Sequence, residues 1–171
     1  MSLNLNQDER AKMVARWFNL IVDGYPAETA RFLREQSDPF ANPVGAGLRE
    51  ELAPILDAVI DGRETVEIES ALDRIVRIRA LQDMSPAEAV SFVLILKAVF
   101  LEIADDTTGD AISEFNSGVD GVLLTGFNVY SRCREQMYDI RVKEIRNRSL
   151  KVMERLNSWR EERAGGPSSN A

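Results

Sequence analysis

Ser85-Pro86-Ala87-Glu88-Ala89-Val90-Ser91-Phe92-Val93-Leu94-Ile95-Leu96-Lys97-Ala98-Val99-Phe100-Leu101-Glu102-Ile103-Ala104 is the stretch on which the fold turns. Serine before proline, with glutamate three residues after the serine, is a capping box. The hydroxyl takes an unpaired backbone N–H, the carboxylate reaches back, and proline fills the first helical position, where no N–H is needed. The helix it opens over residues 85–104 is apolar nearly all round, interrupted only by Glu88, Ser91, Lys97 and Glu102. Such a helix belongs in the middle of a helical packing. Its uncharged run over 89–96 is too short to cross a bilayer. It is a core helix, and the rest of the chain must pack around it.

Upstream, the segments read as helices as well. Over residues 8–22, Met13, Val14, Trp17, Phe18 and Ile21 recur at helical spacing and Gly24 closes the run. Pro26 opens a second helix over 27–35, with Phe32 and Leu33 facing inward. Residues 37–47 hold two prolines and two glycines and read as an ordered loop, anchored in the core by Phe40 and Val44. A third helix spans 48–60 and ends at Asp61-Gly62. A fourth spans 64–82, with Ile68, Ala71, Leu72, Ile75 and Ile78 on one stripe.

Downstream, one long helical stretch runs over 110–163. Its first part carries a broad apolar face of Phe115, Val119, Val122, Leu123, Phe127 and Tyr130. Gly118, Gly121 and Gly126 there either allow a close helix approach or mark a break. Further on, Val142, Ile145, Ser149, Val152, Leu156 and Trp159 follow one another at steps of three and four residues. A seam one residue wide suits contact between two helices better than packing into a globule. The fold class is therefore all-α, with six or seven helices and a long C-terminal helix. Residues 1–7 are expected to be a flexible N-terminus, 8–163 one helical domain, and 164–171 a disordered tail.

Composition narrows the chemistry. The chain has 171 residues, 44% hydrophobic and 29% charged, a soluble single-domain profile with enough apolar residues for a core. It contains no histidine, which excludes Ser-His and Cys-His catalytic pairs, His phosphotransfer, His-ligated haem and the commonest zinc sites. A single cysteine, Cys133, excludes an internal disulfide and fits a cytoplasmic setting. No signal peptide or membrane-inserting segment is read. The net charge of −7 hides an asymmetry, because residues 132–163 hold ten Lys/Arg against six Asp/Glu, a local +4. An acidic body with a mildly basic end argues against nucleic-acid binding.

Without histidine, few groups remain for chemistry. Asp105-Asp106-Thr107-Thr108-Gly109-Asp110 lacks the alternating ligands of a calcium loop and reads as a connection that caps the next helix. Gly118-Val119-Asp120-Gly121 has neither the strand before nor the Gly-Lys-Ser/Thr after that a phosphate loop needs. Cys133, between Arg132 and Arg134, is either an activated thiol or a small buried hydrophobe; its place on the inner side of its helix favours the second. Arg79, beside the apolar stripe of its helix, either pairs with a carboxylate or carbonyl or anchors a bound acid. Lys97 has the same two readings. No catalytic residues, metal ligands or cofactor are assigned.

Three blocks of sequence carry a family resemblance. Residues 77–92, from Arg77 to Phe92 and continued by Leu96-Lys97, resemble the central signature of the RsbRD N-terminal sensor-domain family. The segment from Asp38 to Gly45 resembles that family's upstream loop. Tyr130-Ser131-Arg132-Cys133-Arg134-Glu135, followed by Tyr138, Ile140, Arg141 and Glu144, is similar to its C-terminal helix motif. The likeness covers residues 8–148, with Ala87 standing where a second small hydroxyl residue is expected. It implies a globin-like helical sensor without haem, of the kind that precedes a STAS domain in the stressosome, the scaffold of a general stress response. No STAS domain is expected after Arg163, so stressosome membership does not follow.

The combined reading is a non-catalytic, homodimeric sensory or regulatory domain of stress signal transduction. It acts through its C-terminal helix on a protein partner, with the dimer seam at Val142, Ile145, Val152, Leu156 and Trp159. A rival reading follows from the likeness to haem-less globin-type sensors: a pocket for an acyl chain or other apolar acid. Phe92, Leu96, Phe100, Phe127 and Tyr130 would line it, and Arg79 or Lys97 would face the carboxylate. A further alternative is an adaptor for a partner in anaerobic respiration or sulfur metabolism.

Overall fold

The computed structural model describes residues 5–62, 65–104 and 108–164. The expected helix start at Glu64, the acidic pair Asp105-Asp106 with Thr107, the first four residues and the tail after Ala164 lie outside the described residues. The described residues contain no strand. They form α1 (Gln7–Asp23), α2 (Ala27–Glu35), α3 (Pro43–Asp61), α4 (Thr65–Leu81), α5 (Pro86–Val90), a 3-10 turn over Ser91–Leu94, α6 (Ile95–Ile103) and α7 (Gly109–Ala164). The chain divides into two compact units, Met1–Cys133 and Arg134–Ala171, and α7 contributes to both.

In the first unit, α3 packs on α4, and α1 packs on α2, α3 and α6. Each helix buries one stripe. Met13 and Trp17 come from α1, Leu52, Ile55 and Leu56 from α3, Leu72 and Val76 from α4, and Phe115 and Val119 from α7; all are fully buried. Each large apolar side chain sequestered in this way contributes about 1.5–3 kcal/mol relative to an exposed one. Ion pairs join neighbouring helices at the rim. Arg10 of α1 bridges Asp57 and Asp61 of α3, and Arg16 of α1 meets Glu102 of α6. Arg132 of α7 meets Glu69 of α4 at 2.7 Å.

The helix starts depend on caps. Asn6 caps α1 with a full capping box to Glu9, so order begins inside the segment expected to be flexible. Ser85 and Glu88 form the capping box anticipated for the core helix. Helix α3 begins at Pro43, not Leu48, because Asn42 caps it. The Asn42 side chain accepts from Gly45 N at 2.8 Å and donates to the carbonyls of Gln36 (2.8 Å) and Leu33 (3.2 Å). It thereby joins the end of α2 to the start of α3. Asn42 is 1% exposed whereas Phe40 is 97% exposed, so the loop is anchored by an amide and not by the phenylalanine expected to do so. Gly62 ends α3 in the left-handed region (φ 63°).

The core helix is not continuous. Its middle is wound as a 3-10 turn between α5 and α6. The Trp17 indole donates to the Phe92 carbonyl at 2.7 Å, and both Arg79 and Ser91 donate to the Glu88 carbonyl. Carbonyls engaged by side chains are withdrawn from the regular ladder, a recognised cause of a local break. By contrast, the glycines of α7 do not break that helix. A Cβ at Gly118 would lie 2.9 Å from the Val59 carbonyl oxygen, so glycine lets α7 approach the backbone of α3.

Candidate functional site

The residues singled out for a ligand pocket all fall in the first unit, and the structure brings two of them into direct contact. The Arg79 guanidinium lies over the Phe92 ring at 4.9 Å, and its Nη1 donates to the Glu88 carbonyl at 3.2 Å. Arg79 is 6% exposed. Burial pushes its guanidinium down from the ordinary arginine value, while the nearby Tyr25 hydroxyl favours the charged form. No well-formed hydrogen bond reaches the buried Tyr25 oxygen. Among the described residues, no carboxylate pairs with Arg79. The cation is held by one carbonyl and by the face of Phe92, on which Trp17 is itself stacked at 6.0 Å. An arginine always carries its charge in a protein, so this is a buried charge with little compensation.

The other candidates are mostly occupied by the core. Leu96 and Phe100 are fully buried, and Phe100 stacks on Phe115 with ring centroids 4.0 Å apart. The Tyr130 hydroxyl donates to the Met84 carbonyl at 2.8 Å. Phe127 is half-exposed. The Lys97 ammonium contacts Asp120 of α7 at 2.6 Å. Cys133 is buried, a small apolar group in the core. Of the acidic connection, Thr108 is described, and its hydroxyl accepts from Ala111 N at the start of α7.

A concavity lies elsewhere, between α1 and α3, with a volume of about 990 Å³. Val14, Phe18, Leu52 and Leu56 supply its apolar floor, and Arg10 and Arg49 its rim. Both cations are committed within the protein. Hydrogen bonds to Asp61 and then Asp57 hold the Arg10 guanidinium above its ordinary value. Arg49 sits over the Phe18 ring and donates to the carbonyls of Leu33 and Arg34 at the end of α2. The groove therefore offers shape and apolar surface but no uncommitted charge.

The second unit presents the seam. Val142, Ile145, Val152, Leu156 and Trp159 are each 56–69% exposed, and every side chain from Tyr138 to Arg160 is exposed. Large apolar groups on one stripe of a helix, unburied by their own chain, are the surface that a partner helix would cover. Spacing marks this stripe in the sequence, whereas Asn42, the Trp17 donor and Glu51, a buried acid paired with Arg74 at 2.7 Å, carry no comparable periodic mark. The capping pattern Asn42–Gly45 across Pro43 was the one available signal for the first of these. Among the described residues, no helix is long and apolar enough to cross a membrane.

Residues 11–144 match the family of the RsbT co-antagonist protein rsbRD N-terminal domain. An uncharacterized protein of Archaeoglobus fulgidus is 22% identical over 156 residues, which cover 88% of this chain and 93% of that protein. No solved structure matches.

Proposed function

The chain belongs to the RsbT co-antagonist protein rsbRD N-terminal domain family, a family of non-catalytic sensor domains in stress signalling, and from that premise we propose that it is a regulatory module whose output surface is the far half of α7. The observation that carries this reading is the change of character along one helix. Up to Cys133 the helix supplies core residues, among them Phe115, Val119, Val122 and Tyr130; from Tyr138 onward it exposes an apolar seam. A signal that alters packing around Phe100 and Phe115 acts on the same helix that presents Ile145 and Leu156. It changes output only to the degree that it favours one packing of that helix over another.

Photo-crosslinking from single positions in cells tests the assignment of the surface. A crosslinkable residue at Ile145 or Leu156 is expected to trap a discrete protein adduct, and one at Glu144 or Lys151 on the outer side is not. Equal trapping from both sides, or none from the seam, would contradict it.

A second reading, a receptor for an apolar acid, rests on one observation: the buried Arg79 guanidinium has no carboxylate partner among the described residues. Mass spectrometry of the denatured, purified protein is expected to reveal an acid that is lost in Arg79→Met. An extract free of any such acid would end that reading.

A further inference from the structure

The seam has neighbours, and their charge is uneven. With Val142, Ser149 and Leu156 as one set of contact positions and Ile145, Val152 and Trp159 as the other, the flanking positions between residues 141 and 160 are fixed. They are Arg141, Arg146, Arg148, Met153, Arg155 and Arg160. Five of these six are arginine, and all are exposed. None of the five arginines makes an ion pair within the described residues. The acids of the same stretch, Glu144 and Glu154, fall at outer positions, away from the seam. The helix thus presents an apolar line edged on both sides by cationic side chains, with its anionic groups behind.

Flanking charges choose the partner in a two-helix contact. A second copy, parallel and in register, would set Arg141 against Arg146 of that copy and Arg155 against Arg160. An antiparallel copy would set like edges together and again oppose arginine to arginine. Either arrangement gathers cations along a contact that excludes water. An anionic membrane would satisfy the charges but not the apolar line, which is narrow, widened among its flanks only by Met153, and interrupted by Ser149; surface-seeking helices bury a broad apolar face.

We propose that the seam of α7 is a docking site for an acidic amphipathic helix of another protein, one with aliphatic residues at the contact positions and Asp or Glu at the flanking ones. This inference rests on the reading of α7 as the output surface and specifies what that surface receives. Each flanking arginine then acquires a carboxylate, and the planar guanidinium matches it with paired hydrogen bonds. Recognition is by charge pattern as well as apolar contact, so it weakens with salt.

The test uses the whole chain and two synthetic helical peptides as long as the seam. Both carry isoleucine and leucine at the contact positions. One has glutamate at every flanking position and the other lysine. Trp159 lies on the seam, exposed, and reports on cover by its emission, whereas Trp17 is fully buried and stays constant.

The glutamate peptide is expected to bind at least about tenfold more tightly than the lysine peptide and to shift Trp159 emission to the blue. The triple variant Arg141→Glu, Arg148→Glu, Arg155→Glu is expected to reverse the preference, and Ile145→Asp to abolish binding of both. Far-UV circular dichroism checks that each variant keeps its helix. Equal binding of the two peptides would overturn the proposal. So would self-association through the seam, or uptake by phosphatidylglycerol vesicles, with neither peptide bound. Those last two results would leave the output reading standing. If Ile145→Asp alters none of peptide binding, self-association and vesicle binding, both the proposal and the reading beneath it fail.

Discussion

Asn42 shows how much structure one side chain can organise. Its amide bonds three backbone groups at the junction of α2 and α3, in a site closed to water. Truncation leaves the buried Gly45 N–H and the part-buried Gln36 carbonyl short of a partner, while the Leu33 carbonyl keeps Arg49, so Asn42→Ala is expected to cost about 1–3 kcal/mol in urea denaturation. A change within a few tenths of zero would mean that water replaces the amide. Gly118→Ala is a second test at this scale. Its methyl group would press on a backbone carbonyl that cannot move away as a side chain can. A loss of about 1–3 kcal/mol is expected, read by thermal or chemical denaturation. Neither residue was legible as structural from the sequence in full. Asn42 hid in a stretch dense with proline and glycine that reads as loop, and Gly118 was visible only as a choice between close approach and a break. The aromatic at the loop tip, Phe40, invited the opposite assignment, because hydrophobicity predicts burial only on average.

Single elements were easier to read where their local chemistry was self-contained. The capping box at Ser85 stands as its residues demand, and the Glu88 carboxylate accepts from both the Ser85 amide and hydroxyl. These bonds hold the Glu88 carboxyl below the ordinary carboxylate range. A depressed pKa stabilises the fold above the unfolded-state value, and that contribution fades as pH falls through the folded-state value. The stability difference between wild type and Glu88→Gln, followed by urea denaturation, is therefore expected to be largest near neutral pH and to shrink in acid. A difference independent of pH would contradict the capping role. What the periodicity of this helix did not reveal is its break. The donors that engage its carbonyls, Trp17 and Arg79, come from α1 and α4, and local pattern carries no information about groups distant in sequence. The seam of α7 is the converse case. Its spacing alone located an apolar line, and the structure places those residues outside any core.

At the scale of the molecule, the sequence and the family agree on a helical sensor domain. The resemblance to this family was legible in three blocks: the capped core helix, the loop whose Asn42 joins α2 to α3, and the middle of α7. Of the residues named for a ligand pocket, Phe92, Leu96 and Phe100 are buried, and Arg79 is buried with no carboxylate partner among the described residues.

Regulation through α7 requires that the state of the body change binding at the seam. The direct measurement is the affinity of the whole chain for the glutamate-flanked peptide in three variants of the body alone: Lys97→Met, which removes the pair to Asp120, Phe115→Leu, which loosens the stack on Phe100, and Gly118→Ala. None of these touches the seam. Coupling predicts that these variants change the affinity by about threefold or more, with the seam itself unaltered. Identical affinities in all three, with binding still lost in Ile145→Asp, would make the seam a docking helix that the body does not control, and would contradict the coupling.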